Sequence, residues 1–140
     1  MRAGDREAPL RIPVTADLRR VPAVSASIRA FLASRGMEAR RIHTAEVVVE
    51  EVLTNIIRHG GPTTGSRTID VEVIVIADGV RLSFTDDGIA FDPRKAPAFD
   101  ATTPLEHRTG GGMGVHLVRS LAREVRYERT DGRNRLEVAL

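Results

Sequence analysis

Cysteine and tryptophan are missing from the 140 residues, and lysine occurs once, as Lys95. Without cysteine the chain cannot form disulfides or bind a metal through thiolates, which fits a reducing compartment. No apolar run reaches the ~18 residues that a transmembrane helix needs. The N-terminal stretch MRAGDREAPLRI lacks the apolar centre of a signal peptide. The sequence therefore predicts a cytoplasmic protein that is not bound to a membrane.

Aromatic residues are also scarce, at 4% of the chain, and 21 basic residues are nearly balanced by 19 acidic ones. The basic residues are almost all arginine and are scattered along the sequence. Nucleic acid is usually bound by a clustered basic groove, with stacking aromatics for single strands, so we expect no direct binding of nucleic acid. A hydrophobic content of 41% is typical of a globular protein, and the length suffices for a single domain, residues 1–140.

Hydrophobic periodicity predicts a strand and then a helix near the N-terminus. Residues 9–16 alternate apolar and polar side chains, and Pro13 favours an edge position for this strand. Thr15 or Asp17 is suited to cap the helix that follows, and Gly36 is suited to end it.

A longer helix is predicted from about Ala39 to His59, with Gly60 as its stop. Three consecutive valines within it favour a strand, but a stretch of this length without glycine or proline is too long for one. Two strands follow, residues 68–78 and 80–86, and the Asp78-Gly79 pair between them predicts a hairpin turn.

The remainder of the chain begins with residues 88–111, a stretch without periodicity that is rich in glycine, proline and alanine. Gly114 is predicted to open a third helix, and residues 124–130 and 134–140 to form a hairpin turning at Asp131-Gly132. We predict an α+β two-layer sandwich, with a mixed, largely antiparallel sheet covered on one face by helices.

The stretch EEVLTNIIRHG, residues 50–60, carries a carboxylate and a carboxamide one helical turn apart. Glu51 and Asn55 lie about 40° apart around the helix, away from the main apolar cluster. They form either a polar outer face or one wall of a cleft, and Val47 on the same side favours the cleft. In a cleft, the Asn55 oxygen would suit magnesium, and Glu51 could accept a proton from an attacking hydroxyl or water.

A second motif, FTDDGIAFDP, starts where an apolar strand ends. Asp86 and Gly88 form either an acidic turn or a binding element in which the carboxylate accepts a hydrogen bond from an amine such as that of adenine.

A third motif, RTGGGMGVHLV, brings several glycines to the start of a helix. It is either a flexible linker or a loop whose N–H groups close on phosphate oxygens at the helix N-terminus. It is not a dinucleotide-binding motif, because the glycines do not follow a strand, and it lacks the Gly-Lys pair of a Walker loop.

In this order EVLTN, DDG and GGGMG resemble the nucleotide site of the superfamily that includes gyrase, histidine kinases and mismatch-repair ATPases. EVLTNIIRHG, DDGIAFDP, PLEHR, GGMGVHLVR and GRNRLEVAL are similar to the bacterial anti-sigma factor serine/threonine kinases. The resemblance covers about residues 10–140 and implies the Bergerat ATP-binding fold. Ala90 departs from the family pattern, which often has a second glycine there.

By that resemblance, Glu51 is the general base or water-orienting carboxylate and Asn55 is the magnesium ligand. Asp86 accepts a hydrogen bond from the adenine amino group, and Gly88 shapes its turn. Residues 92–109 form the ATP lid. The remaining residues implied to bind ATP surround its phosphates: Arg108, Gly110, Gly111, Gly112, Met113, Gly114 and Val115.

The resemblance implies an ATP- and Mg²⁺-dependent protein-serine kinase that holds a sigma factor inactive and phosphorylates a serine on a small anti-anti-sigma antagonist. It also implies a homodimer. A non-catalytic ATP-binding regulator that sequesters a partner is the alternative, which the presence of Glu51 disfavours. A detached histidine-kinase catalytic domain is disfavoured because the chain has no room for a dimerisation helix pair.

The histidines have simpler interpretations than metal or phosphate binding. His43 and Glu46 face the same way on a helix, but two ligands do not make a metal site. His116 is interpreted as a packing residue, and His59 as a favourable charge at a helix C-terminus.

Overall fold

The computed structural model describes residues 8–61, 67–92, 94 and 112–140, with the backbone alone at 112–116. Within these ranges the elements, in chain order, are β1 (Leu10–Thr15), α1 (Val21–Ser34), α2 (Ala39–His59), β2 (Thr68–Ile76), β3 (Gly79–Asp86), α3 (Gly112–Leu121), β4 (Glu124–Thr130) and β5 (Arg133–Ala139). None of the helices in this part of the chain is long and apolar enough to cross a membrane.

The strands form one sheet in the order β1-β2-β3-β5-β4, and every pairing between the described strands is antiparallel. The inner face is apolar and packs against the helices, with Val71, Leu82, Phe84 and Val138 almost fully excluded from solvent. The outer face carries charged and polar residues, as strand alternation requires. The predicted α+β sandwich is confirmed, although its sheet is antiparallel rather than mixed.

The N-terminal strand β1 lies at an edge of the sheet, as its proline predicted. Pro13 pairs with Asp70 of β2, and none of the described strands lies beyond it. Because proline lacks a backbone N–H, it is tolerated only where the sheet does not need that donor.

Asp17 caps a short 3₁₀ turn, Leu18–Arg20, rather than α1 itself. Its Oδ1 accepts a hydrogen bond from Arg19 N at 2.9 Å, and α1 then starts directly with Val21. At the other end, Gly36 adopts a φ of 77°, which glycine reaches without strain, and this ends α1 where the sequence predicted.

The long helix α2 has the predicted bounds, and its valine run is helical. Val48, Val49 and Leu53 are fully buried against the sheet. The weak strand preference of valine is outweighed, because burial of one apolar stripe stabilises a helix more than single-residue propensity destabilises it.

Two turns were predicted from dipeptides, and one is displaced. Asp131 and Gly132, with φ of 53° and 75°, form the two-residue loop between β4 and β5 as predicted. In the other hairpin Ile76 pairs with Gly79, so the loop is Ala77-Asp78 and Gly79 already belongs to β3. The Asp78-Gly79 prediction is wrong by one residue, because the strand register, not the dipeptide, determines which residues pair.

The third helix begins at Gly112, two residues before the predicted start at Gly114. The N–H groups of a first helical turn need no acceptor within the helix. Glycines can therefore occupy that turn without disrupting the hydrogen bonds of the helix.

Replacement of a fully buried residue should measure how far the fold depends on α2. Leu53→Ala should lower the free energy of unfolding by about 2–5 kcal/mol, because it removes a side chain with 0% exposure and leaves a cavity. Urea unfolding followed by circular dichroism measures this change. Leu18→Ala is the control, since Leu18 is 43% exposed and should cost about 0.5 kcal/mol or less. Equal losses in the two variants would contradict the assigned core.

Candidate functional site

An open cleft lies between α2, α3 and strands β3, β4 and β5. The apolar part of its wall consists of side chains from these elements and from the segment after β3: Val52, Ile56, Phe91, Val118, Val125 and Leu136. Apolar walls of this kind suit an aromatic ring system.

Three polar side chains are nearly buried at this cleft. Asn55 is 7% exposed, Asp86 5% and Asn134 6%, and they are three of the five buried polar residues in the described part of the chain. Buried polar groups are normally satisfied by hydrogen bonds. Their concentration in one concave place is typical of a binding site.

Asp86 is the last residue of β3 and lies on the inner face of the sheet. Its Oδ1 accepts hydrogen bonds from Gly88 N at 2.8 Å and from Asn134 Nδ2 at 3.3 Å. Its Oδ2 receives no hydrogen bond from the described residues. One carboxylate oxygen is therefore held by the protein, and the other is available to a ligand that carries an N–H or O–H group.

Asn55 reaches the cleft from α2, and its carboxamide makes no hydrogen bond with the described residues despite its burial. The polar outer face is thus the wrong interpretation for Asn55. Glu51, one turn earlier on the same helix face, is half-buried and also makes no hydrogen bond with them. It does not belong to the described wall of the cleft. The structure therefore brings Asn55 and Asp86 together and leaves Glu51 to one side.

The turn after β3 docks against the C-terminal end of α2. Ile89 N donates a hydrogen bond to Gly60 O at 3.1 Å. A Cβ atom on Gly88 would lie 2.5 Å from Gly60 O and 2.8 Å from Asp86 Oδ1, so no larger residue fits without displacing the turn. The absence of a side chain at Gly88 allows this close approach.

Arg67 holds the same end of α2 and was not identified from the sequence. Its Nη2 donates to Ile56 O at 2.9 Å and its Nη1 to Gly61 O at 3.3 Å. A cation is favourable beside the carbonyl groups at a helix C-terminus. Its Nε is buried without a hydrogen-bond partner among the described residues. An arginine that follows a glycine-containing loop forms no recognisable motif, so only the fold reveals this contact.

A second group missed by sequence reasoning lies behind Asp86, on the β4–β5 hairpin. Asn134 Nδ2 donates to Ile89 O at 2.8 Å. Its Oδ1 accepts from Arg129 Nη1 at 3.0 Å and from the Tyr127 hydroxyl. Alternation along β5 was a usable signal, because Asn134 shares the inner face with Leu136 and Val138, where a polar side chain is unexpected.

Aromatic side chains frame the mouth of the cleft. The rings of Phe91 and His59 are stacked, with centroids 5.8 Å apart. The Arg94 guanidinium lies 6.0 Å from the centroid of the Tyr127 ring and bonds Asp92 at 2.9 Å. Hydrogen bonding to Asp92 raises the pKa of Arg94 above its usual value. His59 therefore contributes a ring contact in addition to its predicted place at the end of α2.

Glu46 bonds to side chains of α1 rather than to His43. Its Oε1 accepts hydrogen bonds from Arg29 Nε at 2.7 Å and Ser25 Oγ at 3.2 Å, and the His43 side chain is exposed. The part of the chain described here contains no group of three or more acidic or histidine side chains that could hold a metal.

The predicted phosphate-binding residues fall partly outside the described residues. Arg108, Gly110, Gly111 and residues 95–109 of the predicted lid lie outside them, as does the residue at position 93. The others occupy the first turn of α3, whose side chains are not described: Gly112, Met113, Gly114 and Val115. His116 in the same helix belongs to that set, so its packing role stays a prediction.

A protein-family model described as the histidine kinase-like ATPase domain matches residues 14–140, nearly the whole chain. The chain belongs to the histidine kinase-like ATPase family. A domain of this family uses ATP, so the cleft is the candidate ATP site of a histidine kinase-like ATPase.

Curated relatives of this ATPase domain are named as kinases. It is 30% identical over 98 residues to the serine/threonine-protein kinase BtrW of Bordetella bronchiseptica, covering 70% of this chain and 69% of the relative. The domain is 23% identical over 128 residues to the serine-protein kinase RsbW of Staphylococcus aureus, and the match covers 88% of this chain and 79% of the relative. With RsbW of Bacillus cereus the identity is 26% over 100 residues, and the match spans only 59% of that protein.

Solved structures support the fold of the ATPase domain. A crystal structure of the RsbU and RsbW domains of a Mycobacterium tuberculosis protein superposes with a TM-score of 0.64 at 21% identity, covering 94% of this chain and 31% of that one. The SiaB–SiaC complex of Pseudomonas aeruginosa contains a chain that superposes with a TM-score of 0.60 at 16% identity. The superposition covers 95% of this chain and 89% of that one. At these identities the similarity concerns the fold.

The close approach at Gly88 makes a specific test of the turn. Gly88→Ala should weaken the binding of ATP, measured as the dissociation constant by calorimetry, because the new Cβ must displace Gly60 O or the Asp86 carboxylate. It should also destabilise the fold by about 1–3 kcal/mol, the usual cost of an overpacked site.

Gly36→Ala is the matched control. Gly36 has a positive φ, but nothing lies within 4 Å of an added Cβ. This substitution should cost about 1 kcal/mol of backbone strain and leave the dissociation constant unchanged. Unaltered ATP binding in Gly88→Ala would contradict the role of the turn.

Proposed function

We propose that this ATPase domain is an ATP-dependent protein-serine kinase that also acts as an anti-sigma factor in a partner-switching pathway. The observation that carries the proposal is the pair of unsatisfied oxygen-bearing groups in one cleft: the Asn55 carboxamide and Asp86 Oδ2 have no partner among the described residues. The naming of its relatives as serine-protein kinases supports the same function.

The base of the nucleotide fits the inner part of the cleft. Asp86 Oδ2 is an acceptor without a donor, which suits the exocyclic amino group of adenine. The apolar side chains of Ile56 and Leu136 line the same cleft and would contact the faces of the purine ring. An ionised carboxylate accepts hydrogen bonds but does not donate them, so it favours a base that presents an amine.

Magnesium suits Asn55. A carboxamide oxygen is a hard ligand, and Mg²⁺ commonly takes one or two protein oxygens together with waters and phosphate oxygens. When bound, the ion would neutralise charge on the triphosphate. Asn55 would then hold the ion, and through it the triphosphate, beside α2.

The first turn of α3 suits the phosphates. Gly112, Met113, Gly114 and Val115 begin this helix, and the free N–H groups of a first turn favour anions. Gly110, Gly111 and Arg108 precede it directly in the sequence and complete the proposed phosphate-binding loop.

Glu51 is the proposed general base. The serine Oγ of the partner would attack the γ-phosphorus, the bond from that phosphorus to the β–γ bridging oxygen would break, and ADP would leave with that oxygen. The proton of the serine hydroxyl would pass to the Glu51 carboxylate, which has no hydrogen bond from the described residues to compete for it.

The proposed partners follow from the family resemblance: a sigma factor and a small anti-anti-sigma antagonist that carries the phosphoacceptor serine. A chain of this fold was solved within the SiaB–SiaC complex, so this fold is compatible with binding to another protein. Phosphoserine adds negative charge and acceptor oxygens, which weakens docking at an interface that does not offer basic partners. A homodimer and a cytoplasmic location belong to the same proposal.

A second candidate function is a non-catalytic regulator that binds ATP and sequesters its partner. The observation that favours it is the position of Glu51, which does not belong to the described wall of the cleft. Phosphotransfer separates the two functions, whereas ATP binding does not.

Glu51→Gln tests the catalytic proposal. The variant should bind ATP with nearly the wild-type dissociation constant but lose phosphotransfer by about 100-fold or more, because glutamine cannot accept the proton. The assay incubates the purified protein with radiolabelled ATP, Mg²⁺ and a desalted lysate of the source cells, and follows the label on serine of a small protein.

Glu50→Gln is the matched control for this assay. Glu50 is the neighbouring residue, but its carboxylate accepts a hydrogen bond from Ser25 Oγ at 3.1 Å, between α1 and α2. It should retain phosphotransfer. Full phosphotransfer activity in Glu51→Gln would contradict the role of Glu51 as the general base. Absence of labelled serine with the wild-type protein and both variants would favour the non-catalytic regulator.

Asn55→Ala tests the magnesium site. At about a hundredfold excess over its dissociation constant, ATP should stabilise the wild-type domain by ~2.7 kcal/mol, a rise in Tm of several degrees. This rise should require Mg²⁺ and should be largely lost in Asn55→Ala. Thr44→Ala, on the same helix but with its hydroxyl bonded to Arg40 O, should keep it. A shift that is equal with and without Mg²⁺ would contradict the role of Asn55.

A further inference from the structure

Arg129 lies on β4, away from the apolar wall of the cleft, yet it is tied to the turn that carries Asp86. Its Nη1 donates to Gly88 O at 2.9 Å and to Asn134 Oδ1 at 3.0 Å. A single guanidinium group therefore connects the β4–β5 hairpin to a turn 41 residues earlier in the chain. A charged donor makes stronger hydrogen bonds than a neutral one.

The carboxamide of Asn134 is held in one orientation by its surroundings. Its Oδ1 faces two donors, Arg129 and the Tyr127 hydroxyl. Its Nδ2 faces acceptors, Ile89 O at 2.8 Å and Asp86 Oδ1 at 3.3 Å. In the flipped orientation, the amide N–H groups would point at the Arg129 guanidinium, which can only donate, and the amide oxygen would face the Asp86 and Ile89 oxygens, so the network selects the observed orientation.

The same network holds the Asp86 carboxylate in place. One of its two equivalent oxygens, Oδ1, accepts from Asn134 Nδ2 and Gly88 N, so turning the carboxylate group out of this plane would break two hydrogen bonds. The carbonyl groups of Gly88 and Ile89 are held as well, by Arg129 and Asn134. Oδ2 is thereby left as the acceptor for a ligand in the cleft.

We propose that Arg129 is a positioning residue that, through Asn134 and Gly88 O, orients the Asp86 carboxylate and so sets the preference for a purine with a 6-amino group over one with a 6-oxo group. The proposal rests on the ATP site proposed above. Arg129 acts through its neighbours and does not touch the nucleotide. A loosely held carboxylate could turn or shift to accommodate a 6-oxo base. A fixed carboxylate instead places its own oxygen against the 6-oxo oxygen of the base, and the two acceptors repel each other.

A purely structural role of Arg129 makes a different prediction. Loss of its hydrogen bonds would then lower the Tm and weaken the binding of all nucleotides by the same factor. The ratio of their dissociation constants would stay unchanged. The ratio of the dissociation constants of ITP and ATP therefore separates positioning from general stabilisation, since the two nucleotides differ in the base alone.

The test measures these two dissociation constants by calorimetry with Mg²⁺ for the wild-type protein, Arg129→Met and Arg126→Met. The wild type should prefer ATP by about 100-fold or more, as a site with a buried polar group does against an analogue that leaves it unpaired. Arg129→Met should reduce this preference by about tenfold, the value of a lost charge-assisted hydrogen bond. Arg126→Met, on the same strand but paired with Glu124 at 2.7 Å on the outer face, should leave it unchanged.

Arg129→Lys is a second, more conservative variant, which keeps the test informative if Arg129→Met does not fold. Lysine keeps the charge but lacks the planar fork of the guanidinium, so the preference should lie between those of wild type and Arg129→Met. An unchanged preference in both Arg129 variants overturns the inference. Wild-type protein that binds both nucleotides equally overturns it too, while the ATP site stands. Wild-type protein that binds neither nucleotide overturns the proposed function and the inference together.

Discussion

The burial of α2 on the sheet is the constraint on which the cleft depends. Val48, Val49 and Leu53 are fully excluded from solvent, and once one stripe of a helix is buried the direction of every other side chain follows at about 100° per residue. Asn55 is therefore directed by residues that have no part in binding. The same helix ends at the turn that carries Asp86, so one apolar contact surface brings two distant polar groups to a common cleft.

The three polar side chains of the cleft differ in how many hydrogen bonds the described residues make to them. Asn134 is engaged at both ends of its carboxamide, Asp86 at one oxygen only, and Asn55 has no partner among the described residues. Buried polar groups without partners are costly. The protein's own hydrogen bonds thus hold Asn134 and one side of Asp86, while polar atoms without a partner among the described residues line the same cleft, as in a preorganised binding site.

Much of the fold and part of the site were predictable from local patterns. The bounds of α2 followed from periodicity and a glycine stop, and the Asp131-Gly132 turn from backbone conformations that few residues other than glycine, asparagine and aspartate adopt easily. Arg67, Arg129 and Asn134 were missed. Their importance comes from carbonyl groups and carboxylates far away in the sequence, which no local pattern encodes.

The sequence by itself determined the family, the two-layer architecture and the presence of Asn55 and Asp86 in motifs with a shared chemistry, because helix periodicity, strand alternation and short motifs are local properties. Only the tertiary structure decided that Asn55 is buried rather than on a polar outer face, that α3 starts at Gly112, and that one oxygen of the Asp86 carboxylate is held by Gly88 and Asn134. These outcomes depend on which surfaces pack together and which distant donors meet which acceptors, and packing of that kind is a property of the whole fold.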